Sequence, residues 1–332
     1  MGEVAQAHDG SLGTAYAMID AIAEAGADAV KFQTHIAAAE SSADDTWRVK
    51  FSHQDATRFD YWKRMEFTPE QWRGLKAHAE GNGLLFLSSP FSVEAVDLLE
   101  SLDVAMWKVA SGEVNNPLLL DRMLETRKPI LLSSGMSTWE DLDKTVERIR
   151  AADVDLTVFQ CTTRYPTPPE EMGLNVLAEL RERYKCSVGL SDHSSTVFAG
   201  LAAATLGADW LEVHVTLSRR AFGPDVTSSL TVEELRQVVE GARWIDRARA
   251  NPVSKQMLDP DLSRMQSLFG QSLVAVRDLT VGALLTRQDV GCRKPGKGIP
   301  VSQVEDYLGR RLNRPVSSGQ FFEKADFEPG EG

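Results

Sequence analysis

The sequence predicts an α/β fold: a (β/α)8 TIM barrel followed by a small β-rich C-terminal domain. In the first 250 residues, eight short apolar runs alternate with longer stretches of helical periodicity, and beyond them the alternation stops. Such runs are typical of parallel strands buried on both faces, and eight strand–helix units close a barrel. A chain of 332 residues has room for this barrel and one small further domain.

The predicted helices have recognisable ends. Thr68–Gln71 combines an N-cap, a proline at the first helical position and a capping-box glutamine, and Thr138 and Thr231 begin similar acidic first turns. Gly83 and Gly207 lie just past helical stretches, where a left-handed residue is favoured. The predicted strands are Val4–Ala5, Ala29–Phe32, Leu84–Leu87, Val104–Val109, Pro129–Leu132, Leu156–Phe159, Ser187–Leu190 and Trp210–His214.

A doubly wound open sheet is the competing fold. It would usually carry a glycine-rich turn after its first strand, and Gln6–Gly10 is not one. The long connection from His35 to Glu66 is unusual for a barrel, and such length at the catalytic face indicates a lid or a substrate loop. The predicted domains are a barrel over 1–250, a linker over 251–270 and a C-terminal domain of short β pieces over 271–332.

Composition excludes several classes of partner. The formal net charge is −12, from 36 basic and 48 acidic side chains, so a general nucleic-acid or anionic-membrane surface is not expected. Three widely separated cysteines fit neither a disulfide framework nor a zinc motif and are usual for a reducing cytosol. With no long apolar run and no signal-peptide character at the start, we expect a cytoplasmic protein.

Polar side chains follow the predicted strands, at the end of a barrel where active sites lie. A single serine there is usually a turn or cap residue, a lone lysine can reach solvent, and a histidine pair is often satisfied locally. Eight such ends together indicate a site. These residues are Glu3, Lys31, Gln33, Ser88, Ser89, Lys108, Ser111, Glu113, Ser133, Ser134, Thr162, Thr163, Tyr165, Ser191, Asp192, His193, Glu212 and His214.

The residue types indicate the chemistry. Lys31 and Lys108, together with hydroxyls, form a cradle for phosphate or carboxylate in an otherwise acidic protein. His193 and His214 end the last two strands, so both rings can approach one divalent metal, Mn²⁺, Mg²⁺ or Co²⁺. The carboxylates of Glu113 and Glu3 are candidates for general acid–base catalysis.

Nine segments carry a resemblance to a known family over almost the whole chain. They are Glu3 with His8–Gly10, Ala29–Thr34, Ser88–Ser92, Trp107–Glu113, Ser133–Met136, Tyr165–Pro168, Gly189–His193, Glu212–His214 and Gly223–Asp225. In these segments the chain resembles the N-acetylneuraminate (sialic acid) synthase family of phosphoenolpyruvate-dependent nonulosonate synthases.

The resemblance implies metal-dependent condensation of phosphoenolpyruvate with a sugar aldehyde such as N-acetylmannosamine. It also implies an antifreeze-like (SAF) C-terminal domain and a homodimer in which that domain caps the partner's active site. Phosphoenolpyruvate would be held by Lys31, Ser89, Lys108, Ser111, Ser134 and Ser191, the metal by His193 and His214, and the sugar by Glu3, Gln33, Glu113, Tyr165 and Asp225.

The chain departs from the family pattern at four positions. Ala7 and Thr163 replace asparagines, and Val213 replaces a basic residue before the second metal histidine. Lys294, or Arg293 in a shifted register, takes the place of the arginine of the C-terminal domain that reaches the sugar. The alternatives are therefore a synthase for another sugar acid (legionaminate, pseudaminate or a specialised-metabolite sugar), a Schiff-base aldolase using Lys31 or Lys108, and a non-catalytic sugar-binding barrel.

Overall fold

The computed structural model describes residues 1–47, 50–257 and 259–329 and divides into two compact units. The first unit is Met1–Asn251, and the second begins at Pro252. The ranges predicted for the long connection, the linker and the C-terminal domain include residues 48–49, 258 and 330–332 respectively, which lie outside the described residues. Within the described ranges, no helix is both long enough and apolar enough to cross a bilayer.

The first unit contains the predicted barrel. Its eight strands are parallel and hydrogen-bonded in the order β3-β2-β1-β8-β7-β6-β5-β4, so the barrel is nearly closed, and its seam lies between β3 and β4. The strands are β1 Gly2–Ala5, β2 Ala29–Thr34, β3 Leu85–Pro90, β4 Trp107–Val109, β5 Ile130–Ser133, β6 Leu156–Cys161, β7 Ser187–Asp192 and β8 Trp210–Thr216, and β9 Leu230–Thr231 pairs with β8.

Most helices of this unit pack around the outside of the barrel. The helices are α1 Leu12–Glu24, α2 Ala37–Glu40, α3 Arg58–Met65, α4 Pro69–Gly81, α5 Val93–Ser101, α6 Pro117–Leu124, α7 Trp139–Ala151, α8 Val176–Tyr184, α9 Val197–Thr205 and α10 Val232–Ala250. Of these, α2 and α3 belong to the long connection after β2. The capping boxes predicted at Thr68, Thr138 and Thr231 are confirmed. Gly83 and Gly207 have φ values of +77° and +83°, which confirms the left-handed residues predicted after two helices.

Two stacked layers of side chains fill the barrel, because residues two apart on a strand face the same side. The lower one, which we call the apolar layer, contains Met1, Ala29, Leu87, Met106, Leu131, Phe159, Gly189 and Trp210. Two residues further along each strand is the polar layer: Glu3, Lys31, Ser89, Lys108, Ser133, Cys161, Ser191 and Glu212. The interior residue of each strand therefore belongs to the apolar layer at one position and to the polar layer two residues later.

Gly189 leaves room in the apolar layer for the ring of Phe159. A Cβ at position 189 would lie 2.6 Å from that ring, which is fully buried. We expect Gly189→Ala to lower the free energy of unfolding by about 1–3 kcal/mol through overpacking, measured by denaturant titration. Gly81→Ala is the control, because nothing lies within 4 Å of its Cβ position. Equal stability of both variants would contradict this packing.

The second unit is built from short β pieces. It contains α11 Pro260–Phe269, β10 Ser272–Ala275 paired antiparallel with β11 Val290–Arg293, and α12 Val304–Tyr307. The range predicted as a linker thus contains a ten-residue helix, α11, whose side chains are exposed.

One arrangement, a buried aspartate paired with an exposed arginine, occurs twice in the second unit. Asp289 accepts from the Thr286 backbone and pairs with Arg277, and Asp326 accepts from the Glu323 backbone and pairs with Arg314. In both cases the arginine precedes its aspartate by twelve residues. The aspartates satisfy the backbone of two tight turns in a domain too small for a large core.

Candidate active site

A cavity of about 1020 Å³ opens at the C-terminal ends of the barrel strands. The polar layer forms its floor, and the long connection between β2 and α4 forms one wall. Most of the predicted site residues line it together: Lys31, Gln33, Ser89, Lys108, Ser111, Glu113, Thr163, Tyr165, Ser191, His193, His214 and Asp225. Ser133 and Glu212 line it as well. The other predicted residues of this unit lie outside the lining: Glu3, Ser88, Ser134, Thr162 and Asp192.

Four charged groups of the polar layer form a buried network. Lys31 Nζ lies 2.5 Å from a carboxylate oxygen of Glu3 and 3.8 Å from Glu212, and Lys108 Nζ lies 2.9 Å from Glu212. All four side chains are at most 5% exposed. Glu212 therefore links the two lysines, and Glu3 pairs with Lys31.

The pKa values in this network follow burial and pairing. Burial raises the pKa of Glu212, but Lys108 and Lys31 outweigh it and the net shift is downward, so the group is a carboxylate. Burial lowers the pKa of Lys31, but Glu212 and Glu3 outweigh it and raise the pKa, so the amine stays protonated. For Glu3 burial is the largest influence and raises its pKa. A protonated Lys31 is suited to bind an anion and not to form a Schiff base.

Hydroxyl groups surround the two lysines. Lys31 donates to Ser89 Oγ over 3.4 Å, and Lys108 donates to Ser133 Oγ over 2.8 Å. Ser191 donates to Glu212 over 3.0 Å. Ser134, which was predicted to bind substrate, instead donates to Gln160 at the edge of the barrel. Ser133 lines the cavity because it shares a face of β5 with Leu131, and the strand alternation turns Ser134 away.

The predicted metal ligands lie side by side above the polar layer. The rings of His193 and His214 have centroids 5.1 Å apart, and both are buried. Burial lowers the pKa of His193 to about 4 and lowers that of His214 well below its usual value, so both rings are neutral at pH 7. Tyr165 OH lies 3.1 Å from His193 Nε2, and Asp225 lies 3.8 Å from His214 Nδ1.

The donor chemistry of this pair fits a divalent metal. His193 Nδ1 lies 3.0 Å from the carbonyl oxygen of Thr162, which can only accept, so Nδ1 carries the proton and the lone pair is on Nε2. Among the described residues, no three His, Cys, Asp or Glu side chains form a metal-binding group. Two imidazoles would then leave the remaining positions to water and substrate oxygens, as in an open catalytic site.

The two predicted acid–base residues differ in access. Glu113 lies in a short 3₁₀ segment, Ser111–Glu113, lines the cavity, and accepts from Asn116 over 2.7 Å. Glu3 is fully buried. It contacts Lys31, which lines the cavity, but does not line the cavity itself.

The long connection supplies an aromatic wall, whose residues are not among the predicted site residues. Trp47, Phe51, Tyr61 and Trp62 line the cavity and contact one another ring to ring. Arg64 holds this wall to the barrel, since it donates to Asp55 and to Asp9 in the turn after β1. The other cavity residues from this wall are His35, Glu40, Asp45 and Arg58.

Glu212 was predicted as a strand-end residue without a specific role, and it faces the same side of β8 as His214, two residues further on. The wall residues lie in the connection predicted as a lid or substrate loop, but nothing in their spacing shows which side chains face inward. Gln6 and Cys161 also line the cavity. Lys294 belongs to the second unit, where its Nζ lies 5.5 Å from the ring centre of Phe269.

Family comparisons agree with this division of the chain. The model of the NeuB family matches residues 18–254, and that of the SAF domain matches residues 270–328. The N,N'-diacetyllegionaminic acid synthase of Campylobacter jejuni is 30% identical over 309 residues, covering 91% of this chain and 92% of that protein. The N-acetylneuraminate-9-phosphate synthase of Homo sapiens is 30% identical over 323 residues, covering 94% and 88%.

A solved structure matches the whole chain. The spore coat polysaccharide biosynthesis protein E of Chromobacterium violaceum has 25% sequence identity and a TM-score of 0.70, covering 98% of both chains.

Proposed function

The chain belongs to the NeuB family of phosphoenolpyruvate-condensing, metal-dependent nonulosonic acid synthases, and from this premise we propose its specific reaction. The enzyme joins phosphoenolpyruvate to an open-chain N-acyl aldose such as N-acetylmannosamine, giving a 2-keto-3-deoxy sugar acid and phosphate. The observation that carries this proposal is the pairing of two lysines in the polar layer with two neutral histidines in the same cavity.

Each part of the cavity has a role in this reaction. Lys31 and Lys108, with Ser89, Ser111 and Ser191, bind the phosphate and carboxylate of phosphoenolpyruvate. His193 and His214 would hold Mn²⁺, with Mg²⁺ or Co²⁺ as alternatives, and the bound ion would polarise the acceptor aldehyde as a Lewis acid. Gln33, Thr163, Tyr165 and Asp225 contact the substrates around this pair.

The condensation moves electrons in three steps. Carbon 3 of phosphoenolpyruvate attacks the aldehyde carbon, whose oxygen becomes an alkoxide, and water adds to the cationic carbon 2 that results. Glu113, a cavity carboxylate that accepts a hydrogen bond from the amide of Asn116, takes one proton of that water and returns it to the alkoxide. Cleavage of the bond between carbon 2 and the phosphate oxygen then gives the ketone, and the second proton of the water leaves with hydrogen phosphate. Glu3 acts through Lys31, whose ammonium it orients.

Other acceptors fit the same chemistry. The diacetyllegionaminic and neuraminate-9-phosphate relatives are equally similar to this chain, so identity does not choose between acceptors. The alternative is a synthase for legionaminate, pseudaminate or another sugar acid. A contact from Lys294 to the sugar, a homodimer with exchanged C-terminal domains and a cytoplasmic location stay predictions. A Schiff-base aldolase using Lys31 is disfavoured because Glu212 and Glu3 raise the pKa of its amine, and Lys108 Nζ is engaged by Glu212 at 2.9 Å.

The test is phosphate release from phosphoenolpyruvate with a panel of N-acyl hexosamines and unmodified aldoses, with and without chelator. We expect release only with an acceptor and a divalent metal present. Release with no acceptor of the panel, together with borohydride trapping of pyruvate on the enzyme, would contradict the proposal.

Removing the charge of Lys108 should raise the KM for phosphoenolpyruvate far more than the KM for the acceptor. Lys108→Met keeps the packing of the stem over Phe159 (Nζ lies 4.6 Å from the ring centre) but removes the charge. A charge-assisted contact contributes about 1.5–3 kcal/mol, so the KM for phosphoenolpyruvate should rise roughly tenfold to a hundredfold while the acceptor KM changes little. Lys128→Met is the control, because Lys128 also pairs with a carboxylate and an indole away from the cavity. Equal losses for both substrates would indicate a folding defect.

A further inference from the structure

Four hydrogen-bonded side chains, which we call the relay, lie along the cavity wall between the turn after β1 and α2. Gln6 Nε2 donates to Gln33 Oε1 over 2.5 Å, and His35 Nε2 lies 3.3 Å from the same oxygen. On its other side, His35 Nδ1 lies 2.7 Å from a carboxylate oxygen of Glu40. All four residues line the cavity, and none has a role in the reaction derived above except Gln33.

The central histidine is held rigidly. Its ring stacks between Trp62, with centroids 4.2 Å apart and planes 23° apart, and Phe91, with centroids 4.7 Å apart and planes 12° apart. The ring is 4% exposed. Its two nitrogens lie within hydrogen-bonding distance of side-chain oxygens, Nδ1 near Glu40 and Nε2 near Gln33, so the ring bridges these two residues.

This arrangement fixes what Gln33 can offer a ligand. Its amide oxygen accepts from Gln6 Nε2 and lies 3.3 Å from His35 Nε2, so its remaining hydrogen-bonding capacity is mainly the two N–H groups of its own Nε2. If the amide of Gln33 turned over, its NH₂ group would face the NH₂ group of Gln6 and lose that bond. The relay therefore makes Gln33 a donor and excludes it as an acceptor.

We propose that Glu40 and His35 are positioning residues that present the amide N–H groups of Gln33 to an oxygen of the acceptor sugar. This inference rests on the proposed function and adds to it the polarity of one contact: the acceptor carries a carbonyl, ether or hydroxyl oxygen that accepts at this point. A site built around a fixed donor discriminates strongly against ligands that lack the matching acceptor.

The decisive variant removes the ring nitrogens and keeps the stacking. His35→Phe preserves an aromatic ring between Trp62 and Phe91 but frees the amide of Gln33 to rotate. We expect acceptor affinity, measured by calorimetry with N-acetylmannosamine and the other panel sugars, to fall roughly tenfold. Affinity for phosphoenolpyruvate should not change. His53→Phe is the matched control, since it makes the same substitution at an exposed position of the same connection.

A double-mutant cycle separates orientation from a general packing effect. If His35 acts through Gln33, then His35→Phe with Gln33→Ala should bind the acceptor no more weakly than Gln33→Ala alone. Glu40→Gln should show a smaller loss in the same direction, because a glutamine oxygen still accepts from Nδ1 but lacks the charge that strengthens the carboxylate hydrogen bond.

The outcomes are distinguishable from failure of the proposed function. Additive losses of affinity in the cycle, or unchanged affinity in His35→Phe, would overturn the relay alone. Retained acceptor binding without phosphate release in the wild-type enzyme would overturn the proposed reaction alone. Failure of every panel sugar to bind the wild-type enzyme would count against both.

Discussion

Replacing Glu212 with glutamine is expected to lower the free energy of unfolding by about 3–5 kcal/mol, because it leaves two buried lysines with one carboxylate between them. Lys108 would lose its ion pair at 2.9 Å, and Lys31 would keep only Glu3. The substitution preserves shape, so the loss reports charge and not a cavity. The measurement is denaturant unfolding of the substrate-free enzyme at pH 7.

The control for this prediction is an exposed ion pair. Glu182→Gln breaks a contact of 2.6 Å with Lys185, but both of those side chains are mostly exposed and screened by solvent, so stability should change far less than in Glu212→Gln. A Glu212→Gln enzyme as stable as the wild type would mean that the two lysines are not held as a charged pair. Addition of phosphoenolpyruvate should restore part of the lost stability, since an anion bound to the lysines replaces the missing charge.

The second large effect concerns the histidine pair. His214→Ala should reduce turnover at least about a thousandfold, because Lewis-acid activation supplies several kcal/mol and each 1.36 kcal/mol changes the rate tenfold. Chelation of the wild-type enzyme should have the same effect, and Mn²⁺ should reverse it in the wild type only. The assay is phosphate release, paired with direct Mn²⁺ binding by electron paramagnetic resonance.

A histidine elsewhere in the barrel provides the comparison. His78→Ala removes a half-exposed ring that contacts Asp20 on the outside of the barrel, and its metal response should match the wild type. Full activity of His214→Ala in excess chelator would contradict the metal assignment.

The sequence predicted the barrel, the caps and most of the cavity because each depends on a local pattern. Strand alternation places Lys31 and Lys108 on interior faces, and capping residues mark helix starts wherever they occur. The same alternation places only one of the adjacent residues Ser133 and Ser134 in the barrel interior. The sequence alone does not show which one, because that depends on which residues of β5 face inward.

The aromatic wall and the relay could not be predicted from the sequence, for a different reason. The contact of Arg64 with Asp9 joins residues 55 apart, and that of Gln6 with Gln33 joins residues 27 apart. Such contacts depend on how an irregular connection folds back, which no periodicity encodes. The same holds for Glu3, whose type indicates catalysis but whose burial beneath Lys31 depends on the register of β1 with β2.

The apolar layer separates residues that stabilise the barrel interior from residues that line the cavity. Phe159 and the other side chains of the apolar layer fill the barrel beneath the polar layer, and the ring of Phe159 lies 4.6 Å from Lys108 Nζ. The aromatic wall lines the cavity above the polar layer and comes from a connection that supplies none of the described residues of the apolar layer. Substitutions in the two regions should therefore combine almost independently. In the proposed function, a change of acceptor sugar would then require substitutions around the cavity and none in the apolar layer.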